Sequence, residues 1–503
     1  MAANDKRIMK NTMILYFRMI FQMAVYLYTS RVVIEALGLL DYGIYDVVGS
    51  VVLAMMFFNN SMLNCTQRYI TCSLAENGGV NVKKIFSHSI FIHFAFGVLI
   101  FILGELLGTW YIQNFMDLPA GRVGDALFVF QMALVSSFIM TISVPYNALI
   151  IAHEHMGAFA AITIVDVLLK LAVALSLFLF DDNRLRMYAL LLLIAAIVVR
   201  TIYGIYCHFA YRDIRVEYSF DRSTFKSMLG FVGWNTIGNL AIMCNTQGLN
   251  LLLNSVGGPI VNAARGIAFQ VQTATVSFIN SFQTAINPQI TKNYASGDIP
   301  KMNSLVLISS RVSFLLMLFF AVPLMLMTEN LLTLWLTDFP SYTATFVRLL
   351  LCVSVIETIA NPLMVGASAT GNIKLYQLLI GACMLCTIPV AYIVLKLGAE
   401  PQYVFWSLLS TTLTAQAVRM LLCRRLFNFS VRDFILCVLL PIVKVCVCCF
   451  VPLVLLRPYY CGFGGMAALL VCAALDVWVA CCVFILGLRK VERDFILRKL
   501  RIR

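Results

Sequence analysis

Three arginines, Arg18, Arg200 and Arg265, stand inside long apolar stretches of this chain. A cation in hydrocarbon costs about 2.5–3.5 kcal/mol on insertion scales, so such residues normally face a protein-lined, hydrated space or an anionic partner. The chemistry open to them is anion recognition, because a guanidinium forms charge-assisted, bidentate bonds to phosphate or carboxylate oxygens. Amides accompany them at helical spacing. Asn11, Arg18, Gln22 and Thr29 follow one another at steps of seven, four and seven, which places them on one helix face. Asn235, Asn239, Thr246 and Asn250 repeat the pattern, and Asn262, Arg265, Gln272, Asn280, Gln283 and Asn287 form a longer stripe. Asn59, Asn60 and Asn64 add a cluster. Amides donate and accept, which suits a hydroxyl-rich ligand, and they also tie helices together inside membranes.

Acidic residues are fewer. Asp166 and Lys170 stand four apart and are expected to neutralise each other locally. Glu357 lies in mid-stretch, with Asn361 one turn on and Pro362 interrupting the backbone ladder. This pair is the candidate for a coupling Na⁺ or H⁺, or Glu357 pairs with an arginine. His153 and His155 fall in a short loop and receive no chemistry. The cysteines Cys446, Cys448, Cys449, Cys481 and Cys482 lie in apolar runs without metal-ligand spacing or accompanying His, so no metal is expected. No phosphate-cradling glycine loop with lysine and no nucleophile beside a base occurs, so no enzyme activity, ATP-driven step or cofactor is expected.

The elements that must position these residues follow from composition. Of 503 residues 61% are hydrophobic and only 12% charged, well above the roughly 45–50% apolar content of soluble domains. Apolar runs of about 20 residues recur from end to end and predict about fourteen membrane helices. Their approximate spans are 12–34, 44–66, 86–110, 126–151, 157–179, 187–209, 228–253, 260–286, 304–327, 343–368, 375–396, 402–422, 434–456 and 464–487. Lysine and arginine concentrate in alternate loops, at Lys83, Lys84, Arg212, Arg222, Lys226, Lys292, Lys374, Arg424 and Arg425 among others, and in the tail at Arg498, Lys499, Arg501 and Arg503. By the positive-inside rule both termini face the cytoplasm. The net charge of +13 is then a matter of topology and of anionic membrane lipids, and no nucleic acid is needed to explain it.

The halves repeat at an offset of about 220 residues. Gly38 matches Gly258, Asn60-Ser61 matches Asn280-Ser281, and Ile70-Thr71 matches Ile290-Thr291, while Pro145 and Ala152 match Pro362 and Ala369 at 217. A duplicated unit of six helices inserts twice with one orientation, related by a pseudo-twofold axis along the membrane normal, as in paired transporter halves. The expected fold is an all-α integral membrane protein: an N-lobe over 1–215, a C-lobe over 216–425, and two further helices with a basic tail over 426–503. The polar stripes should line a cleft between the lobes.

Five segments carry a family resemblance: SRVVIEALGLLDYGIYDVVGSV (30–51), ISVPYNALIIAHEHM (142–156), GPIVNAARGIAFQVQ (258–272), FQTAINPQITKNYASGD (282–298) and NPLMVGASATGNIK (361–374). Over about residues 10–425 the chain resembles bacterial polysaccharide-biosynthesis flippases of the O-antigen type, relatives of the multidrug and toxic-compound extrusion transporters and of the lipid II flippases. The resemblance implies a bacterial inner-membrane protein that moves an undecaprenyl-pyrophosphate-linked oligosaccharide outward, with glycan polymerase and ligase as partners. It also implies that Arg18 and Arg265 hold the diphosphate. The other readings are lipid II flipping, cation-coupled drug export, and a non-transporting scaffold in glycan assembly. A drug exporter for cations should have carboxylates where the first two helices of each repeat offer amides and arginine.

Overall fold

The computed structural model describes residues 2–55, 57–76, 81–114, 121–180, 182–214, 221–336, 339–460, 462–489 and 493. Every described element is helical, as the composition requires of a chain whose backbone must satisfy itself within lipid. Among the described residues, ten helices are long and apolar enough to cross a membrane. The expected spans 44–66, 228–253, 260–286 and 402–422 are helical but fall outside those ten, and all four interrupt their apolar runs with amides or arginine.

The chain divides into two compact units, residues 1–239 with 291–297 and residues 240–290 with 298–503. The first holds α1 (Ala2–Met55), α2 (Phe57–Glu76), α3 (Val82–Leu103), α4 (Thr109–Asn114), α5 (Val123–Ala152), α6 (Met156–Ser176), α7 (Arg184–Ala210) and the start of α8 (Arg222–Ala295). Gly38 splits α1 into two arms at φ 75° and ψ 166°, a conformation that a side chain would strain. Glycines also set the α3–α5 seam. A Cβ on Gly97, Gly104 or Gly108 would stand 2.9, 2.5 or 2.1 Å from Phe138, Leu134 or Phe130, so the missing side chains admit those of α5. Phe130 and Leu134 are in turn the centre of a core with Ile44, Val48 and Leu185.

The second unit holds most of α8, then α9 (Ile299–Leu326), α10 (Thr328–Leu336), α11 (Thr343–Ala369), α12 (Lys374–Leu385), α13 (Thr387–Lys396), α14 (Tyr403–Phe427), α15 (Val431–Phe434), α16 (Leu440–Tyr460) and α17 (Met466–Cys482). Its core gathers Phe346, Phe405, Leu350 and Met317 around α9 and α11. These are the two spans whose apolar windows are mostly buried, at 61% each, against 17–33% for the other eight.

Helix α8 runs for 74 residues, capped at its start by Asp221, whose carboxylate accepts from the amides of Ser223 and Thr224 at 3.0 and 3.4 Å. It cannot be straight. Arg265 donates to the Thr246 carbonyl at 3.0 Å, whereas 19 residues of straight helix would separate them by about 28 Å. The chain therefore doubles back between two arms, as the separate spans 228–253 and 260–286 predict.

Candidate functional site

In the first unit the stripe of α1 lies against α6 and the turn before it. Arg7 Nε meets the Glu154 carboxylate at 3.0 Å and Nη2 donates to the His153 carbonyl at 3.0 Å. Asn11 reaches the Glu154 carbonyl at 3.4 Å, and Gln22 reaches the Thr163 carbonyl at 3.5 Å. Between them, the Arg18 guanidinium stacks 4.7 Å over the Phe159 ring, its Nε buried without a hydrogen-bond partner. Tyr203 of α7 lies close enough to interact with it electrostatically. Arg18 makes no ion pair among the described residues. Asp166, the nearest acidic candidate on α6, is bonded to Lys170 at 2.8 Å, the local pairing expected from their spacing.

The amides of the first arm of α8 reach Ser61 of α2, and Asn59 of α2 turns to α5. Asn235 donates to the Ser61 carbonyl at 3.4 Å and Asn239 to the Ser61 hydroxyl at 2.7 Å, while Asn59 accepts from Thr141 at 3.1 Å. Asn64 is exposed. The Asn60 side chain lies outside the described residues, as do Arg498, Lys499, Arg501 and Arg503 of the tail.

In the second unit, Arg265 carries its bond to Thr246, stacks 4.5 Å over Phe269, and has a buried Nε without a partner. The arginines of the two units thus share one arrangement, an aromatic face below and an unbonded Nε. Stacking fixes the plane of a guanidinium while leaving its in-plane donors for a ligand. Asn250 and Asn262 each have a buried, unbonded Oδ1, so these amides have acceptor capacity that no protein group takes up. Asn280 is exposed. Gln272 and Gln283 are engaged by α11 and α9: Gln272 donates to Ser354 at 2.6 Å, and the buried Gln283 donates to Ser313 and to the Thr358 carbonyl at 3.0 Å each. Those are interhelical bonds of the packing kind.

Glu357 is exposed on α11, and Asn361 one turn on has an unbonded buried Oδ1. The charge that reaches Glu357 is that of Arg419. Position near the ends of spans suggests that Arg311 and Arg419 anchor at the interface, and the structure corrects this. Arg311 is 1% exposed and donates to the Cys437 carbonyl at 3.3 Å; Arg419 donates to Tyr376 at 2.8 Å and Gln416 at 2.7 Å. Their helices pack against neighbours on that side, and the guanidinium donors find oxygen acceptors there.

Two groups escape the sequence reading. Arg68 lies 4.8 Å over Tyr69 and 5.3 Å over Phe231, because α2 continues to Glu76, beyond the span ending at 66. His153 and His155 belong to a compact knot. The Tyr211 hydroxyl meets His155 Nδ1 at 2.9 Å, and the His153 and Tyr211 rings lie 4.4 Å apart. Burial holds both imidazoles below the usual histidine range, with Arg7 adding to the effect at His155.

A family model described as MatE matches residues 236–393, just under a third of the chain. No curated protein sequence matches. Among solved structures, a crystal structure of a MATE protein carrying a proline-to-alanine substitution superposes with a TM-score of 0.73 at 16% identity, covering 83% of this chain and 96% of that one. A MOP superfamily transporter from Pyrococcus furiosus, described by a reversed polarity of its binding pocket that suggests a different function, gives 0.69 at 16% identity with the same coverage. An outward-facing multidrug resistance MATE family transporter of the MOP superfamily gives 0.70 at 16%, again covering 83% and 96%. The fold is that of the MATE transporters.

Proposed function

We propose that the chain is a membrane transporter whose cargo is an anionic, lipid-linked oligosaccharide, carried outward with its diphosphate on arginine and its sugars on amides. The observation that carries this reading is the shared state of Arg18 and Arg265. Both stand within helices of the membrane domain, both rest on an aromatic ring, both keep a buried unbonded Nε, and neither has a carboxylate partner among the described residues. Two such cations cost several kcal/mol unless a ligand of opposite charge visits them. The sequence resemblance to O-antigen flippases points to the same cargo. Alternating access is the mechanism expected of a duplicated transporter topology, and Glu357 with Asn361 is the place where Na⁺ or H⁺ would couple to it.

Export of organic cations is the second reading, and the comparisons taken alone favour it, since the MatE model and a multidrug transporter of the same fold match the chain. Charge separates the two. Labelled undecaprenyl-pyrophosphate-linked oligosaccharide, presented to purified protein in liposomes, should reach the opposite leaflet, and Arg265→Ala should abolish this while the protein remains in the membrane. Expulsion of a cationic dye by wild type, with no movement of the lipid-linked sugar, would replace the first reading by the second.

A further inference from the structure

The end of the span that contains α17 departs from regular helix. Its last turn, Val483–Gly487, is a π-helix, after which the Leu488 amide bonds five residues back to the Val483 carbonyl at 3.1 Å; such widened turns recur at functional places. Gly487 seats this turn against α9, because a Cβ there would stand 2.9 Å from Leu315 Cδ1. Beside that contact a groove of about 260 Å³ opens between Val312, Leu316 and Phe319 of α9 and Ala480, Phe484 and Leu488 of the α17 span. Every side chain lining it is apolar, and all but Leu315 are partly or fully exposed, so the groove opens on the surface that faces lipid. Hydrocarbon is the matter that fills such a slot within a membrane. Which hydrocarbon follows from the charge at its end. Arg489 comes directly after the lining Leu488 and is exposed. The Arg493 amide bonds to the Arg489 carbonyl at 3.0 Å, and its Nη1 donates to the carbonyl of Ile485, the neighbour of the lining Phe484, at 3.1 Å. That bond fixes the guanidinium at the helix end, while Nε and Nη2 bond no acceptor among the described residues. In sequence Lys490, Arg498, Lys499, Arg501 and Arg503 add charge against Glu492 and Asp494. Basic clusters at the end of a membrane helix attract anionic lipid, and guanidinium donors suit phosphate oxygens. An apolar slot that ends on cations therefore complements a chain joined to a negative headgroup, whereas a zwitterionic lipid would gain the chain contact alone.

We propose that this groove holds one resident anionic phospholipid, with an acyl chain between α9 and α17 and the headgroup phosphate on Arg489 and Arg493. The site lies wholly within the second unit and uses neither Arg18 nor Arg265, so it stands or falls independently of the transported cargo.

Phosphatidylglycerol and phosphatidylcholine with identical chains are the probes, each offered to delipidated full-length protein in detergent and scored as retained lipid by native mass spectrometry. Wild type should bind phosphatidylglycerol at least tenfold more tightly than phosphatidylcholine. Arg489→Gln combined with Arg493→Gln should remove that preference, and Ala480→Phe should fill the groove and weaken both lipids severalfold. Lys396→Gln, which removes an exposed cation elsewhere in the unit, should change neither. If the double variant fails to accumulate, Ala480→Phe decides alone, since the side chain it enlarges is exposed and no charge is altered. Equal binding of the two lipids by wild type, or wild-type binding of phosphatidylglycerol by the double variant or by Ala480→Phe, overturns the site. So does glycerol phosphate that competes as well as the intact lipid, which would leave the groove empty, or undecaprenyl phosphate that competes better than phosphatidylglycerol, which would give the groove to a polyprenyl chain.

Discussion

Arg200 in α7 and Arg419 in α14 both stand inside long apolar helices and have opposite fates. In the second unit the guanidinium is 7% exposed in its residue, bonded to a phenol and an amide, and part of the packing. In the first it lies 3.9 Å over the Tyr146 ring and makes no hydrogen bond among the described residues. What the neighbouring helices offer decides whether an arginine becomes part of the packing. The turn after α5 shows the same logic in backbone form. Gly371 follows α11 at φ 80°, its amide bonded three residues back to Ser368 at 3.1 Å; Glu154, which follows α5, adopts φ 60° with its amide on Ile151 at 2.9 Å. A left-handed conformation costs a side chain about 1–2 kcal/mol, and Arg7 and Asn11 hold Glu154 there.

The comparison can be broken most directly at Arg419. Arg419→Met should destabilise the protein by about 3 kcal/mol, because Tyr376 and Gln416 lose their charged donor within a packed interior. Arg200→Met should cost under about 0.5 kcal/mol, since no bond is lost and a cation leaves the hydrocarbon. Thermal unfolding of the two variants in one detergent measures both, and equal losses would erase the contrast.

The smallest effect concerns the turn. His153 and His155 titrate below an unfolded histidine, whose value is about 6.5, so the unfolded chain takes up protons first as pH falls. The contribution of this knot to stability is therefore complete above about pH 6.5 and declines below it. Protection of the amides of residues 154–159 against hydrogen exchange, relative to their intrinsic rates, should fall as the pH is lowered through that value, and protection at the glycine turn around Gly371 should not follow it. Replacing both histidines by glutamine should flatten the response.

Much of this was legible in the residues. The apolar runs give the helices, and the Asp166–Lys170 spacing gives its ion pair. The stripes of amides are visible too, but periodicity alone does not separate Gln283, fully engaged by Ser313 and Thr358, from Asn262, whose Oδ1 has no partner. That distinction depends on what the neighbouring helix offers. The same limit hides Arg311 and Arg419: distance from a span's end suggests an interfacial anchor, while the acceptors that bury them come from distant segments. Glu154 is illegible for another reason, since a left-handed glutamate has no local sequence signature and is held by Arg7 and Asn11 from far along the chain.

The folded-back form of α8 bears on how the protein is made. Each arm interrupts its apolar run with asparagines, and the second also carries a guanidinium, so neither is well suited to partition alone from the translocation machinery into lipid. The Arg265 bond to the Thr246 carbonyl joins the arms across their bend and covers part of that polarity. Biogenesis should therefore release the two arms as one hairpin, and severing that contact should show first as a defect in insertion.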